Sequence, residues 1–346
     1  MPENLAFLLF EEIIIFRIRT PPRRNSVKFL YIVLIGFLMI GCTPPIGQMT
    51  PTPTPAAPVI TSTPTSAAPL TPTTSSTETP LPEGDPVLVG AGDIARCRTD
   101  SDEVTASLLD DIQGTVFTTG DNAYPDGTAE EYANCYDPSW GRHKERTYPS
   151  PGNHDYHTAD GAGYFGYFGS RAGEPGKGYY SYELGVWHII VLNSNIPVEA
   201  GSPQDQWLRA DLTAHPAACT LAYWHHPRFS SGTVHGSDND MEPLWDALYE
   251  YGADVVLVGH EHNYERFAPQ DPQGNADPTR GIRQFVIGSG GSSHYEFGPP
   301  IANSEVRNSD TSGLLKLTLH PTSYSWEFIP EPGKTFTDSG DAPCVT

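Results

Sequence analysis

Carboxylate, amide, phenol and imidazole side chains recur along the chain in short motifs that each begin with glycine or tryptophan. The motifs are Gly92-Asp93, Gly120-Asp121-Asn122-Ala123-Tyr124, Gly152-Asn153-His154-Asp155, Trp224-His225-His226-Pro227 and Gly259-His260-Glu261-His262. This mixture of oxygen and nitrogen donors suits iron, zinc and manganese, and it does not suit a thiolate-selective site. The candidate metal ligands are Asp93, Asp121, Tyr124, Asn153, His225, His260 and His262.

The number of candidate ligands predicts a pair of metal ions. A tetrahedral zinc site takes only about four ligands, whereas two ions that share a bridging carboxylate accommodate the whole set. Such pairs lie roughly 3.5–4 Å apart and stabilise both oxygens of an in-line phosphoryl transfer. Taken singly, each motif has an ordinary interpretation as a polar turn or an exposed strand edge. Their occurrence together, in this order, favours one shared site.

Short apolar segments must bring these distant motifs together. Enrichment in β-branched and aromatic residues predicts strands at 86–90, 116–119, 186–193, 220–224, 255–259, 285–288, 314–319 and 324–329. An apolar period of 3.6 residues predicts helices at 102–112, 204–212 and 241–251. Alternating strands and helices followed by a strand-rich end favour an α/β fold in which two sheets are flanked by helices. Ligands bind beyond the carboxyl ends of strands in such folds, and a glycine before a ligand lets the chain turn sharply there.

The composition excludes one class of partner. The chain has 20 Lys and Arg against 42 Asp and Glu, which gives a formal net charge of −22. Nucleic-acid binding relies on basic residues that release counterions from phosphates, so we expect no nucleic-acid binding. Metal cations carry their own positive charge and are compatible with an acidic chain. A length of 346 residues allows one large catalytic domain, or two modest ones, with a sizeable core.

The N-terminal part of the chain has the pattern of an export signal, at 1–42. Basic residues precede an apolar run at 29–41, which is shorter than the roughly 20 residues that span a bilayer. Cys42 follows this run as in bacterial lipoprotein cleavage sites, although Met39 stands where leucine is usual. A plain signal peptide or a short anchor helix is the alternative.

The segment at 43–86 is rich in proline, threonine, serine and alanine and predicts a disordered tether. The catalytic domain would then occupy 87–346. We therefore expect an exported protein at the cell surface or in the periplasm, attached to the membrane only through its N-terminal lipid anchor or signal. The four cysteines of the domain predict disulfides in such a location, and three pairings are open.

The motif set resembles that of the calcineurin-like metallophosphoesterases and, within them, the purple acid phosphatases. Many members of the wider superfamily carry Asp-x-His in the first motif, whereas this chain has Asp93-Ile94-Ala95. Tyr124, three residues after Asp121, resembles the phenolate that replaces this imidazole in purple acid phosphatases. A phenolate favours a trivalent metal, because a strong positive charge is needed to keep a phenol deprotonated near neutral pH. The resemblance implies a four-layer α/β/β/α sandwich of two mixed sheets flanked by helices, the metallophosphatase fold.

The resemblance also assigns the metal ligands and the reaction. A ferric ion would be held by Asp93, Asp121, Tyr124 and His262, and a Zn, Mn or Fe(II) ion by Asp121, Asn153, His225 and His260, with Asp121 bridging. A metal-bound hydroxide would attack the phosphorus of a small phosphorylated substrate in line. The implied activity is hydrolysis of phosphate monoesters, as in acid phosphatases. A phosphodiesterase or nucleotidase on the same site, or a surface binding protein with a degenerate metal cage, are the alternatives.

Four residues outside the metal cage are predicted to take part in catalysis. His154 would be the general acid for the leaving alcohol, and Asp155 would orient or charge it. Asn122 would donate a hydrogen bond to the phosphate. His235 resembles a substrate-facing histidine of the family, whereas His226 is interpreted as a surface residue.

The positions of the cysteines relative to the motifs favour one disulfide pairing. Cys97 follows the first motif and Cys135 follows the second, so a bridge between them would brace two ligand-bearing loops. We expect this bridge, which leaves Cys219 to pair with Cys344. The Gly-rich turn at 288–291 follows a predicted strand and is a weak candidate for phosphate binding, and a flexible loop is the favoured interpretation.

Overall fold

A computed structural model describes residues 84–345, so the predicted export signal, Cys42 and most of the tether lie outside the described residues. The strands in chain order are β1 (Val87–Ala91), β2 (Ala95–Arg96), β3 (Thr115–Thr119), β4 (Ala123–Tyr124), β5 (Thr147–Ser150), β6 (Tyr180–Leu184), β7 (Trp187–Val191), β8 (Cys219–Tyr223), β9 (Val255–Val258), β10 (Tyr264–Phe267), β11 (Arg283–Ile287), β12 (Ser304–Asn308), β13 (Gly313–His320), β14 (Ser323–Pro330) and β15 (Ser339–Pro343). The helices are α1 (Ser101–Asp111), α2 (Ala129–Glu131), α3 (Ala162–Phe168), α4 (Pro203–Ala214) and α5 (Glu242–Glu250), joined by short 3₁₀ or π segments at Tyr132–Tyr136, Trp140–Arg146, Ala159–Gly161, Gly169–Ala172 and Asn239–Met241.

The strands form two mixed sheets. The first has the order β15-β14-β13-β1-β3-β5, and β1, β3 and β5 are parallel. The second has the order β12-β10-β11-β9-β8-β7-β6, and its parallel centre runs from β11 to β7. The carboxyl ends of the parallel strands of each sheet therefore lie along one edge, where ligands are expected to bind.

Both faces of the second sheet are buried, which explains why β7, β8 and β9 are buried at every position and are mostly apolar, His188 and Thr220 being the polar exceptions. Alternate residues such as Ile189 and Leu221 belong to the core shared with the first sheet. Their neighbours, such as Ala222, pack in a separate cluster with Leu208 of α4 and Leu244 of α5. Helix α1 packs on the first sheet. The predicted four-layer α/β/β/α architecture is confirmed.

The three predicted helices and all eight predicted strands are present with shifted ends. The strand β5 was missed, although it carries one of the metal-ligand motifs. Its sequence, Thr-Tyr-Pro-Ser, has no apolar run, and Pro149 is tolerated because β5 is the edge strand of its sheet. Strands β6, β10, β12 and β15 were missed for a related reason, since each mixes polar and apolar residues.

Both predicted disulfides are confirmed. Cys97 and Cys135 are bridged with a Cα–Cα distance of 4.9 Å, and Cys219 and Cys344 with one of 5.6 Å. The first bridge links the loop after β2 to the π segment, and the second ties β8 to the end of the chain. Among the described residues, no helix is both long and apolar enough to span a bilayer.

Candidate metal centre

Most of the candidate ligands lie just beyond the carboxyl end of a parallel strand. Asp93 follows β1, Asp121 follows β3, Asn153 follows β5, His225 follows β8, and His260 and His262 follow β9, while Tyr124 ends the short strand β4. Because the two sheets present these ends at one edge of the sandwich, motifs far apart in the sequence converge there.

The sharp turn expected at each preceding glycine occurs mainly at the ligands themselves. Asp93, Asp121 and His260 have φ angles of 59°, 51° and 71°. Left-handed backbone is costly for residues with a Cβ and is retained mostly where function requires it. Among the preceding glycines only Gly120 has a positive φ, of 86°.

The other glycines of the motifs are required because a side chain would not fit at their positions. A Cβ at Gly152 would overlap the backbone nitrogen and Oδ1 of Asp121, and one at Gly92 would overlap Oγ1 of Thr119. The loops that carry the ligands are therefore packed directly against each other. This close packing holds the carboxylate and amide ligands at fixed positions.

One group of donors surrounds the phenol of Tyr124. Its oxygen lies 2.8 Å from Asp93 Oδ1, 3.0 Å from Asp121 Oδ2 and 3.0 Å from His262 Nε2. His262 Nδ1 donates to the carbonyl of Ser293 at 2.6 Å, so its Nε2 lone pair points at this group. A phenol has one proton and satisfies only one of these three acceptors. A cation would satisfy all of them.

A second group of donors surrounds Nε2 of His225. This atom lies 3.0 Å from Asn153 Oδ1, 3.1 Å from His260 Nδ1 and 3.3 Å from Asp121 Oδ2. His225 Nδ1 donates to the carbonyl of Thr119 at 2.7 Å, which fixes the tautomer with Nε2 facing the group. Burial by itself lowers the pKa of this imidazole, but the Asp121 carboxylate outweighs burial and raises the pKa to about 9. The group thus attracts positive charge.

Asp121 joins the two groups through a single oxygen, since Oδ2 contacts both the Tyr124 phenol and His225 Nε2. Its other oxygen accepts the backbone N–H of His154 at 2.8 Å and is held in place. Asp121 is 1% exposed and His225 is fully buried. Buried acceptors facing one another without enough protons between them are costly unless a cation lies among them. The donor set therefore fits two metal ions bridged by Asp121.

His154 and His235 both lie at the site. His154 Nδ1 contacts the carbonyl of Pro125 at 2.5 Å, and its Nε2 is 3.9 Å from Asp121 Oδ2. Its ring lies beside that of Tyr124, with 4.5 Å between centroids. The exposed His235 ring stacks on His260 with centroids 3.9 Å apart. Both imidazoles are thus at the solvent side of the candidate metal cage.

The roles predicted for Asp155 and Asn122 do not agree with their positions. Asp155 is fully buried and accepts from Gly152 N at 2.9 Å, Tyr132 Oη at 2.7 Å and Asn122 Nδ2 at 3.0 Å. Its carboxylate therefore braces the loop before Asn153, and the Pro125 carbonyl contacts the His154 ring instead. Asn122 is also fully buried, and its Nδ2 donates to the Ser150 carbonyl and to Asp155, both at 3.0 Å.

Glu261, which lies between two predicted ligands, was missed by sequence reasoning. Its side chain is fully buried, and Oε1 accepts the backbone N–H groups of His235 and Gly236, both at 2.6 Å. A Cβ at Gly232 would overlap the Glu261 carboxylate. Glu261 therefore positions the loop that carries His235. Its place between the two histidines of one motif was the only sequence signal available.

His226 and the Gly-rich turn also differ from expectation. His226 is only partly exposed, its Nδ1 is 2.7 Å from Ser194 Oγ, and its ring centroid is 4.4 Å from that of His260. It lines a cavity of about 700 Å³ beside the candidate metal cage. The turn at 288–291 is buried rather than a free loop, and a Cβ at Gly288 would lie 2.7 Å from Asp93 Oδ2.

Two aromatic contacts complete the surroundings of the first donor group. The Tyr295 ring stacks on His262 with centroids 3.9 Å apart and 10° between planes. The Arg96 guanidinium lies 4.5 Å from the Tyr124 ring centroid and donates to Ser292 Oγ at 2.8 Å. Neither residue belongs to a motif, and nothing in the sequence pattern singled them out.

A four-layer sandwich with a carboxylate-bridged donor set at its strand ends defines the class of metallophosphoesterases. The model of the calcineurin-like phosphoesterase family matches residues 88–264, and the chain belongs to this family. Within the family the chain is similar to purple acid phosphatases.

The relatives match only part of their own length. Purple acid phosphatase 15 of Arabidopsis thaliana is 34% identical over 35% of this chain and 24% of its own length, and purple acid phosphatase 21 of the same plant is 33% identical over 43% and 36%. The solved structure of the purple acid phosphatase PPD1 from yellow lupin (Lupinus luteus) seeds superimposes with a TM-score of 0.61 at 20% identity, covering 75% of this chain and 54% of that one. The chain thus spans roughly a quarter to a third of these curated relatives.

Proposed function

We propose that this protein is an exported dinuclear-metal phosphoesterase that hydrolyses phosphate monoesters of small molecules. The observation that carries the proposal is the position of Asp121 Oδ2, which is 3.0 Å from the Tyr124 phenol and 3.3 Å from His225 Nε2. One carboxylate oxygen at the junction of two donor groups is the arrangement that a bridged metal pair requires, and such pairs clamp phosphoryl groups.

The proposed distribution of metals follows the chemistry of the two donor groups. Asp93, Tyr124 and His262 would hold a ferric ion with Asp121, because burial and the charges of Asp121 and Asp93 raise the pKa of the phenol well above its usual value. Only a strongly charged cation offsets that shift and makes the phenolate a ligand. The neutral set of Asn153, His225 and His260 with Asp121 would hold a Zn, Mn or Fe(II) ion.

When bound, the metal pair supplies an activated water and stabilises charge on the phosphoryl oxygens. His154 acts as the general acid that protonates the leaving alkoxide, since its Nε2 faces the cage while the Pro125 carbonyl holds Nδ1. His235, stacked on His260, faces the substrate and donates to a phosphoryl oxygen.

The location proposed for the enzyme is outside the cytoplasm. Two disulfides are consistent with an oxidising compartment, and the N-terminal signal with Cys42 would supply export and a lipid anchor. The formal charge of −22 favours a small phosphorylated substrate over nucleic acid. A phosphodiesterase or nucleotidase on the same metal pair is the second candidate function, and a binding protein with a degenerate cage is disfavoured by the complete donor set.

Metal analysis combined with an ester panel tests the proposal. The purified protein should hold about two metal equivalents and hydrolyse p-nitrophenyl phosphate faster than bis-p-nitrophenyl phosphate or nucleotides. Asn153→Ala should lower kcat/KM by at least about 10²-fold, because it removes a ligand of one ion. Two bound metals with no turnover of any phosphoester would contradict the function, and a preference for diesters or nucleotides would favour the second candidate.

A further inference from the structure

A second cluster of metal-ligating side chains lies away from the candidate metal centre. It consists of His188 in β7, Asp211 in α4 and His215 directly after α4. One ligand atom from each residue lies within 4.8 Å of the other two. His188 is near the amino end of β7, whereas the candidate catalytic ligands follow the carboxyl ends of the strands. We propose that this cluster is a separate binding site for one divalent transition-metal ion, with Zn²⁺ as the best match.

The donor types and distances match a three-ligand zinc site. His188 Nε2 lies 2.9 Å from Asp211 Oδ2, and His215 Nδ1 lies 3.2 Å from Asp211 Oδ1. His215 Nδ1 also donates to the backbone carbonyl of Asp211 at 3.0 Å, and zinc binding would replace this hydrogen bond. Two imidazole nitrogens and one carboxylate leave a fourth position for water. Donors that each lie about 2.1 Å from zinc are at most about 4.2 Å apart. Closing the cluster therefore needs only a small movement, which the 49% exposed His215 side chain can make.

The surrounding contacts orient the two innermost donors. His188 Nδ1 is 2.8 Å from Glu183 Oε1, so a proton on Nδ1 would point the Nε2 lone pair at the cluster. This carboxylate–histidine arrangement behind the donor atom is typical of zinc sites. Ser181 Oγ donates to Asp211 Oδ1 at 2.8 Å and fixes the carboxylate. His188 and Asp211 are 1% and 8% exposed at their side chains, so the inner half of the site is already built.

Rigid elements carry the donors, and their charge favours a cation. His215 lies four positions after Asp211 at the end of α4, which places the two side chains on one face. The rings of His188 and His215 face each other with centroids 5.0 Å apart. With neutral imidazoles, the carboxylates of Asp211 and Glu183 give the cluster two negative charges. The competing occupant is a proton on His188, which would make the cluster an ordinary ion pair.

Zinc counting on the full-length protein distinguishes these occupants. The protein is loaded with ZnCl₂, desalted and measured for metal content. His188→Gln and His215→Gln should each lose one zinc equivalent relative to the unsubstituted protein, with unchanged turnover of p-nitrophenyl phosphate. His320→Gln is the matched control, because His320 contacts Asp85 at 2.6 Å but belongs to no three-residue cluster within residues 84–345. This control should retain its zinc.

Thermal unfolding provides a second measurement for the case in which the buried His188→Gln variant does not fold. Zinc that binds the folded state stabilises it, so ZnCl₂ should raise the Tm of the unsubstituted protein by a few degrees more than that of His215→Gln. Equal zinc content and an equal rise in Tm for these two proteins would overturn the site. Loss of zinc from His320→Gln would also overturn it, since the extra zinc would then be bound at histidine–aspartate pairs in general.

Discussion

Tyr124 is the residue at which the candidate cage is most specific in its chemistry. Its phenol oxygen lies within 3.0 Å of three acceptors. Burial is the largest cause that raises the pKa of the phenol, and the negative charges of Asp121 and Asp93 raise it further. If a ferric ion holds the phenolate, the purified protein should show a visible charge-transfer band. Tyr124→Phe should abolish the band, as measured by absorption spectroscopy with iron analysis of the same sample.

Tyr295→Phe is the control for this experiment, because the Tyr295 ring stacks on His262 but is not among the predicted metal ligands. The band should persist in that variant. A colourless, iron-free protein with full activity would show that the ferric assignment is wrong, while the proposed hydrolysis would still stand on another metal pair.

His154 is the residue whose substitution should depend most on the leaving group. General acid catalysis contributes about 10²–10⁴-fold where the leaving oxygen needs a proton. We expect His154→Ala to lower kcat by about 10²-fold for alkyl phosphates and by much less for p-nitrophenyl phosphate, whose phenol leaves without help. Steady-state kinetics on the two substrates measures the difference.

The neighbouring His157 gives a matched variant. His157 is exposed and contacts Pro125 O and Asp126 Oδ1 at 3.2 and 3.0 Å, but it is not among the predicted site residues. His157→Ala should leave kcat for both substrates within about twofold, the effect expected of a surface substitution. Equal losses on both substrates in His154→Ala would assign His154 a structural role instead.

At the scale of elements, the loops after β3 and β5 are held together at Gly152. Because a Cβ there would overlap Asp121, Gly152→Ala should displace the bridging carboxylate. We expect a loss of bound metal together with a destabilisation of about 2–3 kcal/mol. Metal analysis and thermal unfolding of the variant measure the two effects.

Gly166→Ala is the comparison, since Gly166 lies exposed in α3 and nothing is within 4 Å of the added Cβ. Alanine in a helix should stabilise by about 0.5–1 kcal/mol and leave the metal content unchanged. Normal metal content in Gly152→Ala would mean that the loops separate without affecting the cage.

At the scale of the whole molecule, Asp254 connects β8, β9 and the C-terminal end. It accepts the N–H groups of Thr220 and Val345 at 2.7 and 2.5 Å. Burial is the main cause that raises its pKa to about 7, against about 3.9 in the unfolded chain. Between these values the folded state keeps the proton and the unfolded state has lost it. The stability contributed by Asp254 is therefore full below about pH 4 and falls as the pH rises to 7.

Asp254→Asn should remove this slope. The free energy of unfolding of the variant, relative to the unsubstituted protein, should increase by up to about 4 kcal/mol between pH 4 and pH 7, as three pKa units imply. Any hydrogen bond lost to the amide adds a constant offset that does not change with pH. Parallel stability curves in denaturant titrations across this range would contradict the prediction.

The core strands could be predicted from the sequence because strands that are buried on both faces consist mainly of apolar residues. Strands β8 and β9 are predominantly apolar because both of their faces are buried, and they were predicted. Strand β5 was not, because its position at the sheet edge tolerates Pro149 and needs no apolar run. Pairing with β3 by backbone hydrogen bonds, which are independent of side-chain type, makes it a strand.

The sequence by itself determined which side chains are able to bind metal, because donor chemistry depends on residue type, and the ordered motifs supplied a complete set. Only the tertiary structure decided which neighbours face the cage. Left-handed backbone at Asp121 turns the chain, so Asn122 is buried with Asp155 while the ring of His154 remains at the surface. His188 in β7 and His215 at the end of α4 are brought together by tertiary packing, and their spacing in the sequence does not predict this contact. The direction of a side chain depends on backbone turns and on long-range packing, and a short motif determines neither of them.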